Sequence, residues 1–216
     1  MYCYMINIYP LGEYYRAFEH SLKSFRSKDP AIMAQMSDAV YKADEQTFYI
    51  SSLGQEMKIT YPEGQVTFVD KDLQPLWEWQ LVILNHISRA GGQSLTGDLI
   101  SYRELEAGSV YYEAFKKNSI NQIITKLSQE SLGKIAAAAE DLGGQVKIGD
   151  GKITATFQFL PRVPVTLHFW SADDELPASA NILFDSTAND YLHTEDFAAV
   201  GSLLTDFLCE QIMITE

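Results

Sequence analysis

Cysteine is nearly missing from this chain: Cys3 and Cys209 are the two it has, near opposite ends and with no CxxC pair. That excludes a disulfide framework and a Cys-ligated zinc or iron–sulfur site, and both side chains read as small apolar fillers. Positive charge is scarce too. Lys and Arg number 16 against 29 Asp and Glu, a formal charge of −13, and the basic residues stand singly or in pairs such as Lys116-Lys117. A net negative surface repels phosphate backbones and anionic headgroups, so neither nucleic acid nor a membrane is an expected partner. No apolar stretch is read as reaching the roughly 20 residues that span a bilayer. The N-terminal segment lacks the basic and apolar regions of a secretory signal, which makes a cytoplasmic location the expectation. Catalytic signatures are missing as well: there is no P-loop, no GxGxxG, no HExxH and no GxSxG, so nucleotide, dinucleotide, zincin and α/β-hydrolase chemistries lack their required residues. Gly91-Gly92 and Gly143-Gly144 follow helical patterns instead of opening them, which suits caps and not phosphate binding.

Apolar residues are plentiful. At 216 residues, 46% hydrophobic and 12% aromatic, the chain can bury a substantial core. Tyr15, Phe18, Leu22 and Phe25 recur at helical spacing. Asp29-Pro30 supplies an N-cap and an N1 proline for a second helix carrying Ile32, Met33, Met36, Ala39 and Val40. Short β-runs at Thr47–Ser51, Met57–Tyr61 and Val66–Val69 predict a three-stranded meander. Helical periodicity returns over Pro75–Arg89, where Trp77, Trp79 and His86 read as packing residues. Leu99–Leu105 reads as a strand, Tyr111–Leu127 and Leu132–Leu142 as helices.

Four β-runs follow: Gln145–Ile148, Ile153–Leu160, Val163–Trp170 and Ala180–Phe184. Their turns are too short for parallel neighbours, so an antiparallel sheet is expected. Alternation puts Ile153, Ala155, Phe157 and Phe159 on one face with Val163, Val165, Leu167 and Phe169, and leaves His168 and Trp170 together on the other. A final helix starts at Thr194 as N-cap, with Glu195 and Asp196 favouring its positive end. The fold class is α+β: antiparallel sheets from two β-meanders packed against several helices, with a C-terminal capping helix. Residues 1–216 read as a single domain, the early helices and small meander in 1–92 and the rest in 93–216.

The segment Phe169–Asp196, FWSADDELPASANILFDSTANDYLHTED, concentrates the polar chemistry. Asp173, Asp174 and Glu175 are contiguous carboxylates that water, a cation, Arg or backbone N–H groups must compensate. Arg103 is expected to pair with one of them. Trp170, Asp174, Asp185, His193 and Glu195 are expected to converge on one concavity between the last sheet and the last helix.

Two stretches, LTGDLISYRELEAGSVYYEAF (Leu95–Phe115) and VPVTLHFWSADDELPASANILFDSTANDYLHTED (Val163–Asp196), resemble a family built on a domain of unknown function and found mainly in anaerobic bacteria. The order of elements resembles it over nearly the whole chain. The resemblance implies an accessory role in anaerobic metabolism, with links to corrinoid, one-carbon or iron–sulfur systems. Some relatives carry a cysteine-rich segment, which this chain lacks.

Three readings follow. In the first, the chain is a cytoplasmic binding protein for a small molecule or cofactor, with Arg103, Trp170, Asp174 and His193 lining the pocket. In the second, Asp173, Asp174, Glu175, Asp185 and His193 hold a hard divalent cation in a hydrolase or lyase. In the third, Arg103-Glu104 and the acidic loop form a structural charge network in a partner-binding protein. Cofactor identity and oligomeric state stay open at this point.

Overall fold

Turn chemistry decides the topology. Leu53-Gly54 and Asp150-Gly151 join strands at two-residue turns, with Ser52 facing Gln55 and Gly149 facing Lys152. Their φ angles are 47° and 69°, and 50° and 70°, positive at both central positions as a type I′ hairpin requires. Pro161-Arg162 makes a third two-residue connection. The computed structural model describes residues 5–6 and 12–214 and contains two antiparallel sheets, as the short turns demand. Cys3 lies outside the described residues.

The first sheet runs β1 (Val40–Lys42), β2 (Thr47–Ser52), β3 (Gln55–Thr60), β4 (Val66–Phe68) in spatial order. It has four strands where three were expected. Asp38 takes a left-handed conformation, φ 61°, at the end of the second helix, so Val40 leaves the helix and opens β1 instead of continuing the helical stripe. The second sheet has the order β5-β9-β8-β7-β6, formed by β5 (Leu99–Ser101), β6 (Gln145–Gly149), β7 (Lys152–Leu160), β8 (Val163–Trp170) and β9 (Ser179–Asp185). The predicted strand Leu99–Leu105 stops at Ser101 because a capping box intervenes: the Ser101 N–H and hydroxyl both donate to Glu104 Oε2 at 2.8 Å, turning Tyr102–Glu104 into one turn of 3-10 helix.

Among the described residues, seven α-helices surround the sheets: α1 (Tyr15–Arg26), α2 (Pro30–Ser37), α3 (Trp77–Arg89), α4 (Gly108–Phe115), α5 (Asn121–Leu127), α6 (Leu132–Asp141) and α7 (Thr194–Ile214). A π-turn over Lys116–Ile120 joins α4 to α5. Asp29 caps α2 by accepting from the Ala31 and Ile32 N–H groups. Tyr15 and Ile32, counted in the apolar helical patterns, face outward.

The predicted inward faces of β7 and β8 are buried. Trp79 of α3 joins the layers: its indole N–H donates to Ser52 Oγ at 2.7 Å, and that hydroxyl donates to the Phe159 carbonyl at 2.5 Å. Leu53 N–H reaches the Gln158 carbonyl at the bulge where β7 shifts register between Gln158 and Leu160. The buried side chains of both sheets thus form one hydrophobic cluster. Helix α7 is long and apolar enough to cross a bilayer, contrary to the expectation that no segment would be; 61% of its most apolar window is buried inside the protein, the position of a core helix covered from several sides.

Candidate functional site

Antiparallel pairing separates the ends of successive strands, and this divides the predicted site. Trp170 faces Ser179 at one end of the β8–β9 hairpin, whereas Val165 faces Phe184 near the other, where Leu99 of β5 faces Asp185. At about 3.3 Å per residue, the length of β9 places these ends roughly 20 Å apart. Trp170, Asp173, Asp174 and Glu175 therefore lie at one end of the sheet, while Asp185, His193 and Glu195 belong to the other. The single concavity expected from the sequence does not form.

At the first end, Asp173 Oδ1 accepts from the Glu175 and Leu176 N–H groups at 2.9 and 2.8 Å, which hold its carboxyl below the usual range. The turn thus compensates Asp173 from within, and Asp174 and Glu175 are exposed. Trp170 meets His168 edge to face, 5.6 Å between ring centroids, and Lys152 Nζ sits 4.7 Å from the indole. Arg103 does not pair with this loop. Its guanidinium lies 3.9 Å from the Tyr112 ring and 3.5 Å from Glu113 Oε1, because β5 pairs with the opposite end of β9 and carries Arg103 away from the acidic residues.

Asp185 has a structural setting. It is 3% exposed; Oδ1 accepts from the N–H and hydroxyl groups of Thr187 and Thr96, and Oδ2 from Gly97 N–H at 2.7 Å. Burial alone would push this carboxyl up, but these donors outweigh it and hold it below its ordinary value. Nearby, Tyr102 OH donates to the Thr194 carbonyl, Thr194 Oγ1 donates to the Glu106 carbonyl, and Glu106 N–H donates to Asn189 Oδ1. The two distinctive stretches of sequence are docked on each other here. Gly108 makes the contact close: a Cβ on it would stand 1.9 Å from the Tyr102 carbonyl oxygen. Gly108→Ala is therefore expected to lower stability by about 1 to 3 kcal/mol, measured as a lower urea midpoint with an unchanged slope.

Among the described residues, no three His, Cys, Asp or Glu side chains come together as a metal-holding group. The carboxylates expected to share a cation are divided between the two ends, and the oxygens of Asp185 already face protein donors.

The remaining predicted residues, His193 and Glu195, border a cleft of about 370 Å³ between α1, α3 and the start of α7. Helix α7 begins at Thr194 itself, one residue earlier than expected with Thr194 as the cap, so His193 flanks it. Asp196 is 7% exposed; Oδ2 accepts from His193 N–H at 3.0 Å and Oδ1 from Asn85 Nδ2 at 2.7 Å. Asn85 Oδ1 in turn accepts from Ser21 Oγ at 2.5 Å. Burial pushes the Asp196 carboxyl up despite these donors.

Across the cleft, Arg89 donates through NH2 to the Asn189 carbonyl at 3.1 Å, and NH1 stands 3.4 Å from His193 Nε2. A guanidinium only donates, so the acceptor in this contact is Nε2 of His193. Arg89 Nε is buried without a hydrogen-bond partner, and among the described residues no carboxylate lies within ion-pair distance of this arginine. His20 completes the mouth from α1. Sequence reasoning missed Arg89, His20 and Asn85: an arginine in a last helical turn reads as a partner of the helix dipole, and only the packing of α1 and α7 against α3 brings the three together.

The family model for a domain of unknown function, DUF3786, matches residues 29–207, so the chain belongs to that family. No curated protein and no solved structure matches the chain. The matched region holds Asn85, Arg89, His193, Glu195 and Asp196, while α1, which supplies His20 and Ser21, precedes it.

Proposed function

We propose that this protein binds a small metabolite carrying a carboxylate or phosphate group in the α1–α3–α7 cleft. The observation that carries this reading is Arg89, a cation without a carboxylate partner among the described residues, at the edge of a concave site in a chain of charge −13. A partly desolvated guanidinium is a strong, directional donor to carboxylate and phosphate oxygens. The first turn of α7 adds positive potential on the same side, and His193, His20, Ser21 and Asn85 supply further hydrogen-bonding groups. Asp196 does not oppose the anion strongly, since Asn85 and the His193 backbone occupy its oxygens.

In this reading the protein is a cytoplasmic accessory of anaerobic metabolism, the accessory role being what the family resemblance implies. Isothermal titration with inorganic phosphate and with succinate is expected to show saturable binding of at least one of them. Arg89→Ala should weaken it at least tenfold, about 1.4 kcal/mol, while Lys152→Ala, beside Trp170 at the far end of the second sheet, should leave it unchanged. Failure of both anions to bind, or binding indifferent to Arg89, overturns the reading.

A further inference from the structure

A second cavity lies on the other flank of the α7 N-terminal turn. Its accessible volume is about 180 Å³, and its walls are Tyr102, Tyr111 and Phe115 on one side and Glu195, Ala198 and Ser202 on the other. The last three fall at i, i+3 and i+7, one face of α7. Tyr102 and Phe115 are stacked, 4.1 Å between centroids and 11° apart, and both are buried. The Tyr102 hydroxyl is held by the Thr194 carbonyl, and Phe115 is held against Gly201, where a Cβ would meet the ring at 2.4 Å. The aromatic wall is therefore built before any ligand arrives.

The polar groups of the cavity have no such commitments. Neither the Glu195 carboxylate nor the side chains of Asn118 and Ser202 meet a hydrogen-bond or ion-pair partner among the described residues. Asn118 projects from the π-turn Lys116–Ile120, a widened turn of the type that recurs at functional sites. Aromatic faces beside an unpaired carboxylate favour a positive charge twice over, through ring quadrupoles and through direct attraction. The strongly acidic surface draws the same kind of ligand from solution.

We propose that this cavity binds a small organic cation: a single aromatic ring bearing an amine or methylated ammonium, its ring against Tyr102, Tyr111 and Phe115 and its charge on Glu195. Size agrees, since a cavity of about 150 Å³ accommodates benzene and the additional volume suits a short aminoalkyl arm. Ala114 and Ala198 leave the space that larger side chains would fill.

Glu195 borders both this cavity and the Arg89 cleft, and the test tells the two apart by the residues they do not share. Titration of the full chain with benzylamine, followed by NMR and calorimetry, is expected to show saturable binding, with the neutral isostere benzyl alcohol at least tenfold weaker. Glu195→Gln, a change on an exposed side chain, should weaken benzylamine at least tenfold. Ala198→Leu should abolish binding while circular dichroism and the urea midpoint show a folded chain. Arg89→Ala should leave benzylamine affinity as it was, even where it removes phosphate or succinate. The proposal is overturned if benzylamine fails to bind, if benzyl alcohol binds as tightly, or if Glu195→Gln has no effect.

Discussion

Replacing Asp185 with alanine is expected to lower the free energy of unfolding by about 3 to 5 kcal/mol. The carboxylate is almost wholly enclosed and receives the N–H groups of Thr96, Gly97 and Thr187 along with two hydroxyls. Alanine would leave those backbone donors in a site water reaches poorly, and each unsatisfied group costs about 1 to 3 kcal/mol. Asparagine keeps one acceptor oxygen and should cost less. Because the folded carboxyl lies below its ordinary value, its contribution is present above the unfolded carboxylate pKa and is lost as pH falls through the folded one. Urea denaturation at neutral pH measures the effect, and a loss under 1 kcal/mol would show that the loop finds other partners.

Stability should also fall by about 3 kcal/mol between pH 6.5 and pH 4, with His86 as the main source. The ring is fully enclosed, Nε2 donates to the Ser37 carbonyl at 3.1 Å, and Nδ1 has no partner. Burial pushes its pKa down to about 4, against smaller opposing influences from Ser37 and Asp38. The unfolded chain takes up a proton near pH 6.5 and the folded chain resists until about pH 4, so stability drops by about 1.4 kcal/mol per pH unit across that window. Asp196 and Asp206, raised by burial, act in the opposite direction, adding stability as pH falls. Denaturation midpoints from pH 7 to pH 4 test this, and His86→Leu should flatten the slope whatever it does to the absolute value. An unchanged slope in that variant would assign the acid lability elsewhere.

The faces of β7 and β8 were legible because alternation over eight or nine residues leaves one burial solution. The Asp29 cap was legible because capping depends on neighbours two and three residues away. β1 was not: three residues with exposed or half-buried side chains carry no pattern, and the strand exists because β2 offers it hydrogen bonds. Arg103 misleads because the expected strand runs four residues beyond Ser101, straight through the Ser101–Glu104 capping box, which makes a surface arginine look interior. The site failed for a global reason. Trp170 and Asp185 are close along the chain but not in space, because an antiparallel hairpin sends the two loops that flank a strand to opposite ends. Arg89 and His193 meet across 104 positions of sequence, a distance that no local pattern encodes.

The second sheet is fastened unevenly. β8 is zipped to β7 by eight register pairs and to β9 by six, whereas β5 hangs on β9 by three, at an edge. Amide exchange should follow that gradient, with protons in β8 surviving until global unfolding and those of β5 escaping through small openings. Tyr102 directly follows β5, so the same openings would loosen the aromatic wall it builds with Phe115. A molecule seated against that wall would hold the edge shut, and its signature would be slower deuterium uptake in Leu99–Ser101 with little change at the sheet's centre.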